Sequence, residues 1–151
     1  CAKCCAIKGE IKVSEYLVWS EEYATGVEMI DGDHQTLFMM VNTLHDALVR
    51  DGATDQLPHL FERLSDYVNG HFGREEALMR QCGYPLLDEH SEKHHQLEKT
   101  LRKMVVEFST DPTAFPADDL MDFLKNWLTS HVLKSDMHYV PFVNGQKALR
   151  T

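Results

Sequence analysis

The sequence has no apolar run approaching the ~20 residues that a membrane-spanning helix needs, so no membrane insertion is expected. It is short of positive charge: Lys plus Arg number 15 against 24 Asp plus Glu, a net charge of -9. That balance argues against nucleic acid or an anionic membrane as a partner by simple electrostatics. A second C-x-x-C is also missing. Cys1 and Cys4 supply half of a zinc site, Cys5 sits beside them, and Cys82 stands alone, so the paired signature of a four-thiolate zinc site is not there. There is no internal repeat, no low-complexity tract and no amino-terminal secretory pattern. The expected location is the cytoplasm, with the Cys1 start leaving open processing or excision from a longer protein.

What remains is enough for one domain with a sizeable core: 151 residues, 43% hydrophobic. Residues 1–17 read as a flexible cysteine-bearing segment, since disorder concentrates at termini, and residues 18–151 as the folded domain. The stretch around Leu17, Val18 and Trp19 is expected to pack on the body as an arm, with Tyr23 to Ile30 continuing as loop.

Four amphipathic helices follow. The first is expected to start near Asp33, a good N-cap type after Gly32, with an inward stripe of His34, Leu37, Phe38, Val41, Leu44 and Leu48 in steps of three and four. The second opens between Asp55 and Pro58, carries Leu60, Leu64, Tyr67, Val68, His71, Glu75 and Leu78 inward, and ends at Cys82-Gly83. The third presents Leu87, His90, His94, Leu97, Leu101, Met104, Val105 and Phe108, and is broken by Asp111-Pro112 and Pro116. The fourth presents Leu120, Leu124, Trp127, Leu128 and His131, and is expected to continue through Asp136 and end before Pro141, leaving a short tail from Phe142. Short loops between four such helices predict an all-α, up-down-up-down antiparallel four-helix bundle with an N-terminal arm.

That topology brings particular residues together. His34 and the pair His90, His94 open the first and third helices. His71 with Glu75, and His131 with Asp136, lie near the ends of the second and fourth. All seven therefore fall at one end of the bundle, and six of them continue the apolar stripe of their own helix. Asp136 is the exception, about 140° around a regular helix from His131. It needs reach or a local distortion such as a π-bulge. Other histidines fail the test: His45 reads as a core or boundary residue, His59 lies at the opposite end, His95 is off the inward face, and His138 follows the helix and is exposed. Glu76 is expected on the helix exterior.

Five imidazoles and two carboxylates are too many donors for one zinc. They are not the all-oxygen set of calcium or magnesium, and they lack the thiolates of softer sites. Two octahedral-leaning metals fit better. If both carboxylates bridge and a hydroxide or oxide joins them, three histidines complete one metal, while two leave the other one position short.

At these residues the sequence resembles the hemerythrin family, and its bacterial single-domain branch, from about Val18 to Val140. The carriers are His34 in IDGDHQTLF, His71 and Glu75 in HFGREE, His90 and His94 in HSEKH, and His131 and Asp136 in HVLKSD, with the Tyr84-Pro85 turn and Trp127-Leu128 in support. The resemblance implies a non-haem centre of two iron ions with an oxo or hydroxo bridge. His90, His94 and His131 would hold the six-coordinate iron, His34 and His71 the five-coordinate one, and Glu75 and Asp136 would bridge. It implies reversible O2 binding for storage, delivery or sensing, in a pocket walled by Leu37, Phe72, Trp127, Leu128 and Val132. A di-iron oxidase, a peroxide or nitric-oxide reductase, or a sensing module of a larger signalling protein are the alternatives. The ferritin-like oxidase pattern of paired Glu-x-x-His motifs is matched here only by Glu92 to His95, on the wrong helix face. Two departures stand out: Asp33 replaces the glutamine often found before the first histidine, and the cysteine-bearing head has no counterpart. Neither is expected to touch the ligand set.

Overall fold

The computed structural model describes residues 16–49 and 56–148, and the head with Cys1, Cys4 and Cys5 lies outside them. The described residues form five helices: α1 (Glu28–Val49), α2 (Leu57–Cys82), α3 (Leu87–Thr110), α4 (Ala117–Lys134) and α5 (Val140–Ala148). Single 3-10 turns lie at Glu21–Tyr23 and Asp136–His138. Helices α1 to α4 are the expected antiparallel bundle, α1 packing on α2 and α4, and α2 on α3.

The first helix begins at Glu28, before the Asp33 start expected from sequence. The signal lies further upstream. Thr25 Oγ1 accepts the Val27 N–H at 3.2 Å, and the Asp31 carboxylate accepts the Thr25 N–H and hydroxyl, both at 2.7 Å, and the Gly26 N–H at 3.0 Å. Gly26 takes φ 73°, where a side chain would be strained. This side-chain exchange satisfies donors that a helix start otherwise leaves bare. Asp33, inside the helix, is released for another task.

The second helix opens with Pro58 in its first turn and closes as expected on Gly83. Gly83 is left-handed, φ 69°, and Tyr84 N–H reaches back to Met79 C=O at 3.0 Å, the six-to-one closure of a Schellman end. The third helix stops where Asp111 Oδ1 takes over the N–H groups of Thr113 and Ala114.

The fourth helix ends earlier than expected. It stops at Lys134, and the chain tightens into the 3-10 turn Asp136–His138 with Tyr139 N–H on Asp136 C=O at 3.2 Å. The distortion foreseen at Asp136 is thus a tightening and not a π-bulge. Pro141 lies in the first turn of α5, where a missing N–H costs nothing. The tail is a helix packed on α2.

Two apolar clusters result. The larger fills the bundle, from Leu37, Phe38 and Val41 through Phe61, Leu64 and Phe72 to Leu101, Phe108, Leu120, Leu124 and Leu128. The smaller joins Val27, Ile30, Met79, Cys82, Tyr84, Tyr139 and Val143 across the other end. The arm is held by Leu17, whose N–H donates to Asn42 Oδ1 at 2.7 Å and whose C=O accepts from Asn42 Nδ2 at 2.8 Å. Trp19 packs edge-on to Phe38 at 5.4 Å. Val18, expected to pack with them, is 61% exposed, because it points the opposite way from its neighbours in extended chain.

Candidate metal centre

Between the two clusters, the seven residues picked out by sequence come together. His34, His71, Glu75, His90, His94, His131 and Asp136 are all buried. His71 and Glu75, like His90 and His94, are one turn apart on a shared helix face. His34 enters from α1, His131 from the last turn of α4, and Asp136 from the tight turn after it.

All five imidazoles present Nε2 to one centre. Glu75 Oε2 lies 3.7 Å from His71, 3.6 Å from His90 and 3.2 Å from His94. Asp136 places Oδ2 3.3 Å from His34, and Oδ1 3.4 Å from His90 and 3.1 Å from His131. Two groups can each hold a metal ion: Glu75 with His90, His94 and His131, and Glu75 with His34 and His71. Glu75 is common to both, and Asp136 reaches imidazoles of both.

These polar groups are poorly satisfied by one another. Neither oxygen of Glu75, neither oxygen of Asp136 and neither nitrogen of His34 has a hydrogen bond of acceptable geometry. The Nε2 of His94 faces those of His90 and His131 at 3.1 Å each. Buried polar groups are ordinarily paired, and leaving them bare costs free energy. Converging nitrogens and orphaned carboxylates are what a bound cation would satisfy. The mixture of imidazole and carboxylate suits iron or a similar transition metal. Burial pushes the Glu75 carboxyl up, but the imidazoles of His90, His94 and His71 outweigh it and hold the group well below its ordinary value.

Three contributors escaped the sequence reading. Asp33 was expected to stand clear of the ligand set, yet its Oδ2 is 3.2 Å from His71 Nδ1. Glu76 was expected on the helix exterior, yet its Oε1 is 2.9 Å from His94 Nδ1 and also accepts from the Ser91 hydroxyl at 2.9 Å. It is 22% exposed. The available signal for both was adjacency to a donor residue: a neighbour about 100° round the helix can reach the back of a ring presented by the next helix. The third is Tyr139, wholly buried, with its ring 6.0 Å from that of His90 and no hydrogen-bond partner for its hydroxyl. Burial first, then the carboxylates of Glu75 and Asp136, push its phenol far above the ordinary value.

The remaining histidines stand apart from the cluster. His45 stacks on Tyr16 at 4.4 Å, His59 is 82% exposed, and His95 and His138 are exposed. Of the expected wall residues, Leu37, Phe72, Leu128 and Val132 are buried. The Phe72 ring lies flat on His94, centroids 3.7 Å apart and planes 5° apart. Trp127 differs: it is half-buried, stacks on His131 at 4.7 Å, and lines an open groove of about 720 Å³ between α3 and α4.

The chain as a whole has known relatives. The family model described as "Hemerythrin HHE cation binding domain" matches residues 25–143. The chain belongs to the hemerythrin family. Among its relatives, a bacteriohemerythrin of Pseudomonas paraeruginosa is 32% identical over 129 residues, covering 85% of this chain and 82% of that protein. A bacteriohemerythrin of Methylococcus capsulatus is 32% identical over 130 residues, 85% of this chain and 98% of that one. A crystal structure of wild-type hemerythrin superposes with a TM-score of 0.78 at 30% identity, covering 85% of this chain and 98% of that chain. The hemerythrin fold is therefore shared along most of the chain, and the buried His and Glu cluster has the makings of a metal site.

Proposed function

We propose that the chain holds two iron ions and binds O2 reversibly, as a carrier, store or sensor and not as a turnover enzyme. The observation that carries this reading is the placement of the two orphaned carboxylates between two sets of imidazoles. Glu75 and Asp136 would bridge. His90, His94 and His131 would complete one ion, and His34 and His71 the other. The iron pair, when bound, would supply two reducing electrons to O2.

The rest falls to side chains of this chain. Glu76 holds the His94 ring from behind. Phe72 covers the face of that ring. Leu37, Phe72, Leu128 and Val132 wall the pocket with apolar surface, which keeps bulk water and its protons from the centre, and Trp127 stacks on His131 where that wall borders the open groove. Tyr139 offers a phenolic proton that stays on its oxygen at any physiological pH. Two carboxylates among seven donors stand against the carboxylate-rich ligation of ferritin-like oxidases, and that favours holding O2 over consuming it.

Anaerobic loading with Fe²⁺, followed by exposure to O2 and then deoxygenation, tests the reading by iron analysis and visible absorption. Two irons per chain and a band that appears and disappears with O2 are expected. One iron per chain, or steady O2 consumption with a reductant at enzymatic rates, would overturn it.

A further inference from the structure

The strongest unassigned feature is the surroundings of Asp33. On α1 it directly precedes His34, so the two side chains diverge by about 100°. His34 points to the centre, and Asp33 points to α2. There it meets three side chains spaced four and three apart on one side of that helix: Tyr67, His71 and Arg74. Asp33 Oδ1 accepts the Tyr67 hydroxyl at 2.9 Å, and Oδ2 accepts Arg74 Nε–H at 2.7 Å and faces His71 Nδ1 at 3.2 Å. Asp33 is 8% exposed. The Arg74 guanidinium offsets the charge that burial would otherwise make costly, and it also lies over the Tyr67 ring, 5.8 Å from its centroid.

We infer that Asp33 is a positioning residue that locks His71 as a metal donor and thereby sets the metal affinity of the two-histidine end of the site. The chemistry is direct. An ionised carboxylate only accepts, so the proton of a neutral His71 sits on Nδ1 and the lone pair on Nε2, the nitrogen that faces Glu75. The hydrogen bond fixes the ring's rotation and raises its basicity, as outer carboxylates do for metal-bound imidazoles.

The role is specific to one end. His94, at the other end, has its own carboxylate in Glu76. His34 has no hydrogen-bond partner on either nitrogen. Asp33 thus backs His71 and leaves His34, the other imidazole of that end, without such support.

This inference rests on the two-ion reading, and its test separates the two. Fe²⁺ is titrated anaerobically against a competing chelator into the apo forms of wild type, D33N and D33A. Helix content and melting of the apo proteins are followed alongside. Wild type is expected to take two equivalents. D33A should bind one of them roughly 10- to 100-fold more weakly and the other unchanged. D33N, which keeps an acceptor oxygen without the charge, should fall between. In Zn²⁺-loaded wild type, histidine ¹⁵N NMR should show His71 protonated at Nδ1 in a strong hydrogen bond, and that signal should weaken in D33N.

Should D33A fail to fold, the near-isosteric D33N carries the test. Wild-type affinity for both equivalents in D33N and D33A would overturn the role. Equal weakening of both equivalents in step with apo unfolding would also overturn it, since it would make Asp33 a structural residue only. A wild type that takes one equivalent would instead overturn the two-ion reading.

Discussion

The two ends of this bundle are built on opposite terms. At the end where α2 begins and α3 finishes, the interior is hydrocarbon and aromatic: Phe61 lies 5.2 Å from Phe108 and 6.1 Å from Phe115, with Leu57 and Leu120 beside them. At the other end, seven polar side chains are buried and several of their atoms have no hydrogen bond. Burial of apolar surface stabilises a fold, whereas buried, unsatisfied polar atoms destabilise it. The comparison teaches that the first end secures the helices, and that the second depends on this security to keep a cluster that is unfavourable without a cation.

Three substitutions probe that division, beginning with the largest effect. Phe61→Ala opens a cavity in the apolar end and should cost about 3–5 kcal/mol, read by urea denaturation of the metal-free protein. The folded fraction should still take up metal at wild-type stoichiometry. Loss of metal uptake from a protein that remains folded would break the comparison.

Leu128→Ala lies where the two ends meet, one turn before His131 on α4 and in the larger cluster. It should cost about 2–4 kcal/mol, and in the iron-loaded protein it should also hasten irreversible oxidation in air, followed by visible absorption. An unchanged oxidation rate would remove Leu128 from the wall of the site and assign it to the fold alone.

The smallest effect is expected at Asp111, in the turn between α3 and α4. Its carboxylate accepts from the Thr113 hydroxyl first, and from the N–H groups of Ala114 and Thr113, which holds it below its ordinary value of 3.8. A lowered folded value means that its stabilising contribution is present above 3.8 and fades as pH falls through that lower folded value. Asp111→Ala should therefore lower the melting temperature slightly at neutral pH, and the difference from wild type should shrink in acid. A difference that persists unchanged at low pH would show that the turn does not draw on that charge.

The helices were legible in the sequence wherever an apolar stripe and a turn pair agreed. Both ends of α2 and the start of α3 are of that kind, marked by Pro58, Cys82-Gly83 and Tyr84-Pro85. The start of α1 and the finish of α4 were misread for a shared reason: side-chain hydrogen bonding and local tightening, which no periodicity records. Thr25 and Asp31 start α1 ahead of the residue that looked like a cap, and the chain leaves α-helical geometry just before Asp136. Six of the seven inner residues were legible because helix direction and the period of 3.6 agreed on them, whereas Asp136 met the first condition and not the second. Asp33 and Glu76 were not. A carboxylate that backs a ligand from a helix flank has the same sequence signature as one that faces water, and only the position of the facing helix separates the two.

The tight turn after Lys134 has a consequence for how the site can change. Asp136 faces the imidazoles, and Tyr139 and Val143, on the same short piece of chain, lie in the apolar cap above them. One bend therefore aims a donor and seats the cover over it. A residue gained or lost between His131 and Asp136 would re-aim both together, so donor and cover are a single mechanical part that the chain can keep or lose but cannot adjust piecemeal.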